Sequence, residues 1–241
     1  MRYDGLSEWH DFVSQVQEAE DLLGNPELIW YRGVVDESHR LLPSLLRREN
    51  GAAKERDLFV KYRTLAMTLQ ENRDSDWQTL FDMQHHGIPT RLLDWTEVLG
   101  IAVFFATLGN PETHAAVYVL DPVGLNARSL KVGIPQVDDK VFAYRSIYWH
   151  HDPVPSVWPI AIEAPSQNRR IAAQRGKFTV HGTDARPIEE QFPNFVRKIT
   201  MSRAMREGAK GYLRISGINE FSVFPDIVGL ARFLDAVVGL A

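Results

Sequence analysis

Residues 85–96 read HHGIPTRLLDWT, and residues 98–108 follow as VLGIAVFFATL. The first segment gathers two histidines, a threonine, an arginine, an aspartate and a tryptophan around one short apolar run. Gly87 and Pro89 punctuate a turn, because glycine tolerates positive φ and proline fixes its own. Residues 90–93 then read as a short strand. The second segment is apolar on every side, which marks a buried helix. Polar groups caught between a turn and a buried helix sit at an element end, where binding groups collect.

Upstream of this stretch, Leu6, Trp9, Phe12, Val13, Val16 and Ala19 recur at helical steps, with Ser7 placed to cap the start. Gly24, Asn25 and Pro26 end that helix, giving it residues 6–23. Residues 27–31 (ELIWY) read as a strand running into Arg32 and Gly33, and residues 41–46 (LLPSLL) as a loop or helical turn. Helices are expected over residues 52–69 and 76–84. Downstream, residues 115–120 (AAVYVL) form a continuous apolar strand, as in a sheet covered on both faces. Residues 121–153 show no strong period, and Pro122, Gly133, Pro135 and Pro153 make them read mostly as loop. Strands are expected at 157–164, 177–181 and 195–201, and helices at 168–174, 203–212 and 225–240. Helices early and late with strands between them give an α+β order rather than a βαβ alternation. The expectation is one domain over residues 1–241, with an N-terminal helix and a motif-bearing core at 27–234. The strands at Arg32, Thr90, Ala115 and Lys177 should share one mixed sheet or a split pair.

The bulk composition narrows the chemistry. A chain of 241 residues with 44% hydrophobic and 24% charged content is an ordinary globular sequence with enough length for a sizeable core. Having no cysteine, it is excluded from disulfides, thiol catalysis and cysteine zinc sites. The apolar run at 98–108 is too short to span a bilayer, and the first residues lack a signal-peptide run, so a cytoplasmic protein without membrane contact is expected. Net charge is −4 but unevenly spread. Residues 1–29 hold seven acids against Arg2, and residues 169–214 hold eleven Lys and Arg against four acids. Such a basic stretch reads either as solvated faces or as a surface for a phosphate-bearing partner.

Three groups of residues can carry chemistry. Tyr31, Arg32 and Gly33 stand at a strand end, where an arginine offers a bidentate fork to phosphate or carboxylate and the glycine lets a ligand approach the backbone. His85, His86, Thr90, Arg91, Asp94 and Trp95 form the second group, which reads equally as a buried polar network holding a turn. Gln174, Arg175, Gly176 and Phe178, on a turn into a strand, form the third.

Together, WYRG, LLPSLLR, HHGIPTRLLDWT with AVFFA, IAAQRGKFTV and GINEFSVFPDIVGLARFL resemble the FRG domain family over roughly residues 30–234. That family takes its name from an aromatic-Arg-Gly motif, with Tyr31 here in place of its Phe. The motif order also resembles the ADP-ribosyltransferase plan. In that plan an arginine ends the first strand, a hydroxyl or aromatic position follows on the second, a helix packs behind, and a Glu or Gln starts a late strand. The resemblance implies NAD as substrate, with Arg32, Asp94 and Gln174 as catalytic residues. Tyr31, Arg32, Gly33, His86, Thr90, Arg91 and Trp95 would then bind NAD, and no metal is implied. Gln174 cannot ionise, so it would orient ribose hydroxyls while Asp94 supplies negative charge. The resemblance further implies a bacterial toxin or phage-defence setting, an RNA or single-stranded DNA acceptor, and a neutralising antitoxin protein as partner.

Two other classes compete. A metal-dependent hydrolase would use His85, His86 and Asp94, but adjacent histidines seldom reach one ion together and no HExxH motif exists. A non-catalytic module of the same family would bind nucleic acid or a protein partner through the basic stretch after Arg169.

Overall fold

The structure is a computed structural model, and it describes residues 6–66, 75–109, 112–130, 133–137, 144–164 and 169–239. In chain order the elements are α1 (Leu6–Leu22), β1 (Trp30–Val34), α2 (Gly51–Ala66), α3 (Asp76–His85), β2 (Leu92–Thr96) and α4 (Leu99–Thr107). They continue with β3 (Ala115–Leu120), α5 (Pro122–Ser129), α6 (Tyr144–Trp149), β4 (Ile160–Ile162), α7 (Arg169–Ala173) and β5 (Gly176–Val180). The chain closes with α8 (Ile188–Gln191), β6 (Val196–Met201), α9 (Arg203–Ile215), α10 (Glu220–Val223) and α11 (Ile227–Val238). The strands form one sheet in the order β4-β5-β2-β1-β3-β6. The fold is α+β as expected, and the sheet is neither divided in two nor mixed: each of its strand pairings is antiparallel.

β3 is buried along its whole length, and its two faces serve two cores. Ala115, Val117 and Val119 pack with Phe12 and Val16 of α1, Val103 and Ala106 of α4 and Leu213 of α9. Ala116, Tyr118 and Leu120 pack on the other side with Trp30, Leu125, Phe192 and Val196. A third cluster joins α2 and α3 to the far end of the sheet through Phe59, Trp77, Leu80, Leu92, Ile162 and Phe178. The α3 and α4 sides thus cover one face of the sheet in two separate patches.

β1 and β2 meet at a single register pair, Tyr31 with Thr96. By contrast β1 with β3, and β2 with β5, each make five. The sheet is therefore continuous but notched between its two middle strands. α4 lies against β1 at backbone distance. A Cβ on Gly33 would stand 1.8 Å from the Ala102 carbonyl oxygen and 2.8 Å from the Ala106 nitrogen. Gly33 is thus required for helix-to-strand packing, a role beyond the one expected of it.

Other expectations shift for identifiable reasons. The stretch expected as loop at 121–153 contains α5 and α6. Pro122, taken as a breaker, occupies the first turn of α5, where its missing N–H costs nothing, and Asp121 caps that helix through Gly124. β1 and β2 begin two or three residues later than the apolar runs that announce them. Ser7 lies inside α1 and its hydroxyl donates to Glu8. The ends of the expected helices at Leu69 and Leu240, and the start of one at Asn168, lie outside the described residues. Among the described residues no helix is long and apolar enough to cross a membrane.

The tight approach at Gly33 yields a direct test. Gly33→Ala forces α4 off β1, an overpacking change that should cost about 1–3 kcal/mol or more. A urea midpoint unchanged from wild type would show that α4 can move without loss.

Candidate functional site

The cleft forms where the notch in the sheet meets the gap between the two helical patches. Its walls are Phe81, Gln84 and His85 from α3, Ile101, Ala102 and Phe105 from α4, and Arg170 and Ile171 from α7. Its floor is Tyr31, Arg32 and Gly33 of β1, Asp94, Trp95 and Thr96 of β2, and Phe178 of β5, with Gln174 at the α7–β5 turn. The cavity holds about 200 Å³. The three residues expected to be catalytic, Arg32, Asp94 and Gln174, therefore line one space, because β1, β2 and β5 are neighbours in the sheet.

Strand alternation starts the Arg32 side chain on the face of Trp30 and Val34. The missing ladder beyond Tyr31 lets its guanidinium cross to β2. There Nη1 donates to the Asp94 main-chain oxygen at 2.6 Å and lies 3.6 Å from Asp94 Oδ2. Burial lowers the Arg32 pKa and Asp94 opposes that, so the group stays a cation. The Asp94 carboxylate is about half exposed and faces open cleft. Gln174 donates Nε2 to the Val223 carbonyl at 3.1 Å, while its own main-chain oxygen accepts from Thr96 Oγ1 at 2.7 Å. Thr96 Oγ1 also accepts from the Val98 amide at 3.0 Å, so one hydroxyl ties the start of β5 to the entry of α4.

Arg170 is a second cation of the cleft. Its guanidinium lies 4.5 Å from the Phe224 ring centroid and donates to the His85 carbonyl at 3.3 Å. Burial lowers its pKa against the pull of Asp94 and Asp226. His85 is pushed below the usual histidine value by burial first, then by Arg170, and so favours the neutral ring. Tyr31 donates its hydroxyl to Glu20 of α1, and burial, then that bond, raises its pKa.

Several expected ligand contacts belong elsewhere. Arg91 is buried and forms a two-pronged pair with Glu55 of α2, while Nη1 donates to the carbonyls of His181 at 2.7 Å and Gly182 at 3.0 Å. It joins α2 to the end of β5 and does not line the cleft. Trp95 contributes to the floor, but its ring is buried with Leu93 beneath the sheet and Nε1 donates to Thr179 at 3.0 Å, so it offers no stacking surface. Thr90 is buried behind Gln84 rather than open to the cleft. His86 caps α3, its amide donating to Asp82 at 3.0 Å, and His85 takes the cleft position expected of it. Among the described residues no group of three His, Asp or Glu is placed to hold a metal ion.

Sequence reasoning overlooked Gln84, Thr96, Arg170, Phe81 and Phe105 as cleft residues. A signal for Gln84 existed in its place one turn before the Gly87 helix stop. Arg170 was visible only as part of a basic run. Much of that run is spent internally: Lys177 on Glu97 and Glu163, Arg186 on Asp184, Arg203 on Glu112, and Arg206 on buried carbonyls.

Residues 27–115 match the family model of the FRG domain. That stretch, less than half of the chain, is similar to the FRG domain. The match covers β1 through the start of β3 and so includes Arg32, Gln84 and Asp94. Arg170, Gln174 and Phe178 fall beyond it, as does the rest of the span expected to reach residue 234. No curated protein and no solved structure matches the chain. The cleft is thus completed by a segment that the family match does not cover.

Arg91 and His181 give predictions about stability rather than binding. Arg91→Met leaves Glu55 buried without its partner and should cost about 3–5 kcal/mol, read from denaturant unfolding. His181 is fully buried, and burial holds its pKa down at about 4. The unfolded chain therefore binds a proton that the folded chain refuses. Stability should fall as pH drops from the ordinary histidine value toward 4, by about 3 kcal/mol in all. His181→Phe should flatten that slope; an equal slope in both proteins would assign it to other groups.

Proposed function

We propose that the cleft binds NAD as a substrate and that the protein is an ADP-ribosyltransferase-like enzyme. The observation that carries this reading is the meeting of Arg32, Asp94 and Gln174, drawn from three separate stretches of chain, on one cleft between α3 and α4. Arg32 and Arg170 offer two guanidinium groups to a pyrophosphate. Phe81, Phe105 and Phe178 give an apolar wall for a nicotinamide ring, the mixture of apolar lining and few polar groups that small-molecule sites use. A cavity of about 200 Å³ is small beside the roughly 300–1,000 Å³ of drug-sized pockets. It suits the nicotinamide and its ribose, with the rest of the dinucleotide over the surface.

In the reaction, the bond between the ribose C1′ and the nicotinamide nitrogen breaks, and its electron pair leaves with the ring. The ribose acquires oxocarbenium character, which the Asp94 carboxylate stabilises by charge. Gln174 orients the ribose hydroxyls through its carboxamide, since it has no proton to give or take at neutral pH. An acceptor then bonds to C1′ and releases its proton to solvent. Nucleic acid is the acceptor that the basic run suggests. The internal pairing of many of those groups leaves protein and water as rivals.

NAD at ten times its Kd stabilises a one-site protein by roughly 1.4 kcal/mol, or about 3–5 °C in Tm for a chain this size. That shift is expected for wild type and should vanish in Arg32→Ala. An unchanged Tm at millimolar NAD would favour the non-catalytic binding module. Labelled NAD incubated with lysate, followed by nuclease or protease, assigns the acceptor: label removed by nuclease alone supports nucleic acid, and label removed by protease alone rules it out.

A further inference from the structure

Three side chains lead from the turn before β2 into the cleft. The Leu92 amide donates to Thr90 Oγ1 at 3.1 Å. The Thr90 hydroxyl has one proton, and it goes to Gln84 Oε1. With its oxygen engaged, Gln84 presents Nε2 to Asp94 Oδ2 at 2.7 Å. The same Oδ2 is the carboxylate atom near Arg32. One donor, Gln84, therefore holds Oδ2 with the Arg32 charge beside it, and among the described residues Oδ1 accepts no hydrogen bond.

The backbone fixes the distances this chain needs. α3 ends in a left-handed Gly87, with the Gly87 amide donating to Gln84 at 3.1 Å and the Ile88 amide to Met83 at 2.9 Å. These two bonds make a Schellman closure, and Pro89 follows where a helix cannot continue. Gln84 and Thr90 are thereby set on opposite sides of one rigid turn. A carboxamide has a donor end and an acceptor end. Two groups distinguish them here: the Asp94 carboxylate can only accept and so takes the NH2 end, and the Thr90 proton takes the oxygen end.

We infer that Gln84 is a positioning residue for Asp94, and that Thr90, by holding the oxygen end of the Gln84 amide, locks that orientation so that Oδ1 is the oxygen offered to a ligand. The orientation belongs to the free protein; what Oδ1 meets rests on the NAD reading above. Thr90 then acts through Gln84 rather than by touching a ligand. Thr90→Val keeps the shape and removes the proton, Thr90→Ser keeps the proton, and Gln84→Met keeps the length and removes the donor.

Two measurements decide the matter. In the ligand-free protein, ¹⁵N NMR should show one Gln84 side-chain amide proton shifted downfield and slow to exchange, unchanged in Thr90→Ser and lost in Thr90→Val. In NAD cleavage, Gln84→Met and Thr90→Val should lower kcat by about tenfold with KM little changed, while Thr90→Ser restores it, as expected when one aligned hydrogen bond is lost. A Gln84 amide signal identical in Thr90→Val would overturn the relay whether or not NAD binds. Wild-type kcat in a folded Gln84→Met would overturn the positioning role. A wild-type protein that neither binds nor cleaves NAD would sink the NAD reading, and the NMR comparison would still judge the orientation.

Discussion

β1 and β2 touch at one register pair, Tyr31 with Thr96, and the cleft exists because they part after it. A fully zipped pair would place backbone amides where the Arg32 guanidinium now sits. The notch frees the Asp94 carbonyl to accept from Arg32, and it lets a side chain from one face of the sheet reach the other. Two further constraints hold the notch in shape. Gly33 allows the α4 backbone to press on β1 from one side, and Thr96 pins the β5 entry to the α4 entry from the other. Neither involves the groups that meet a ligand, so the scaffold and the chemistry are carried by different atoms of the same short segments.

The fold class was legible because the α+β order follows from periodicity alone, and β3 could be read to the residue from an uninterrupted apolar run. The small helices α5, α8 and α10 were missed because four to eight residues give too few turns for a period to show. Their capping residues were the better signal: Asp121 before Pro122 and Asn219 before Glu220 each accept from backbone amides two or three positions on.

The site was legible in its strands and misread at its neighbours. Asp94 and Trp95 are adjacent on β2, so their side chains leave on opposite faces. An exposed Asp94 between buried Leu93 and Trp95 assigns the cleft to the aspartate's face and removes the tryptophan ring from it. Arg91 could be excluded only in three dimensions, because its partner Glu55 is supplied by another helix. Arg32 breaks the alternation rule in the other direction, since the notch that admits it is a property of pairing that one strand's sequence does not record.

The charge of the cleft follows from who is buried. Arg32 and Arg170 remain cations against the cost of burial because an arginine cannot shed its proton. His85 yields to the same burial and tends to neutrality. Gln84 and Gln174 contribute dipoles without charge, and Asp94 alone is negative. The lining polar groups therefore sum to about one positive charge, with the carboxylate close to one of the cations and open on its other oxygen. Such a site favours a ligand that is anionic overall, and it keeps one negative group where positive charge can develop. A carboxylate in place of Gln174 would cancel that excess and bring a second anion to the cleft. The neutral amide is thus consistent with a cleft that draws an anion in and holds the ligand's cationic part at Asp94.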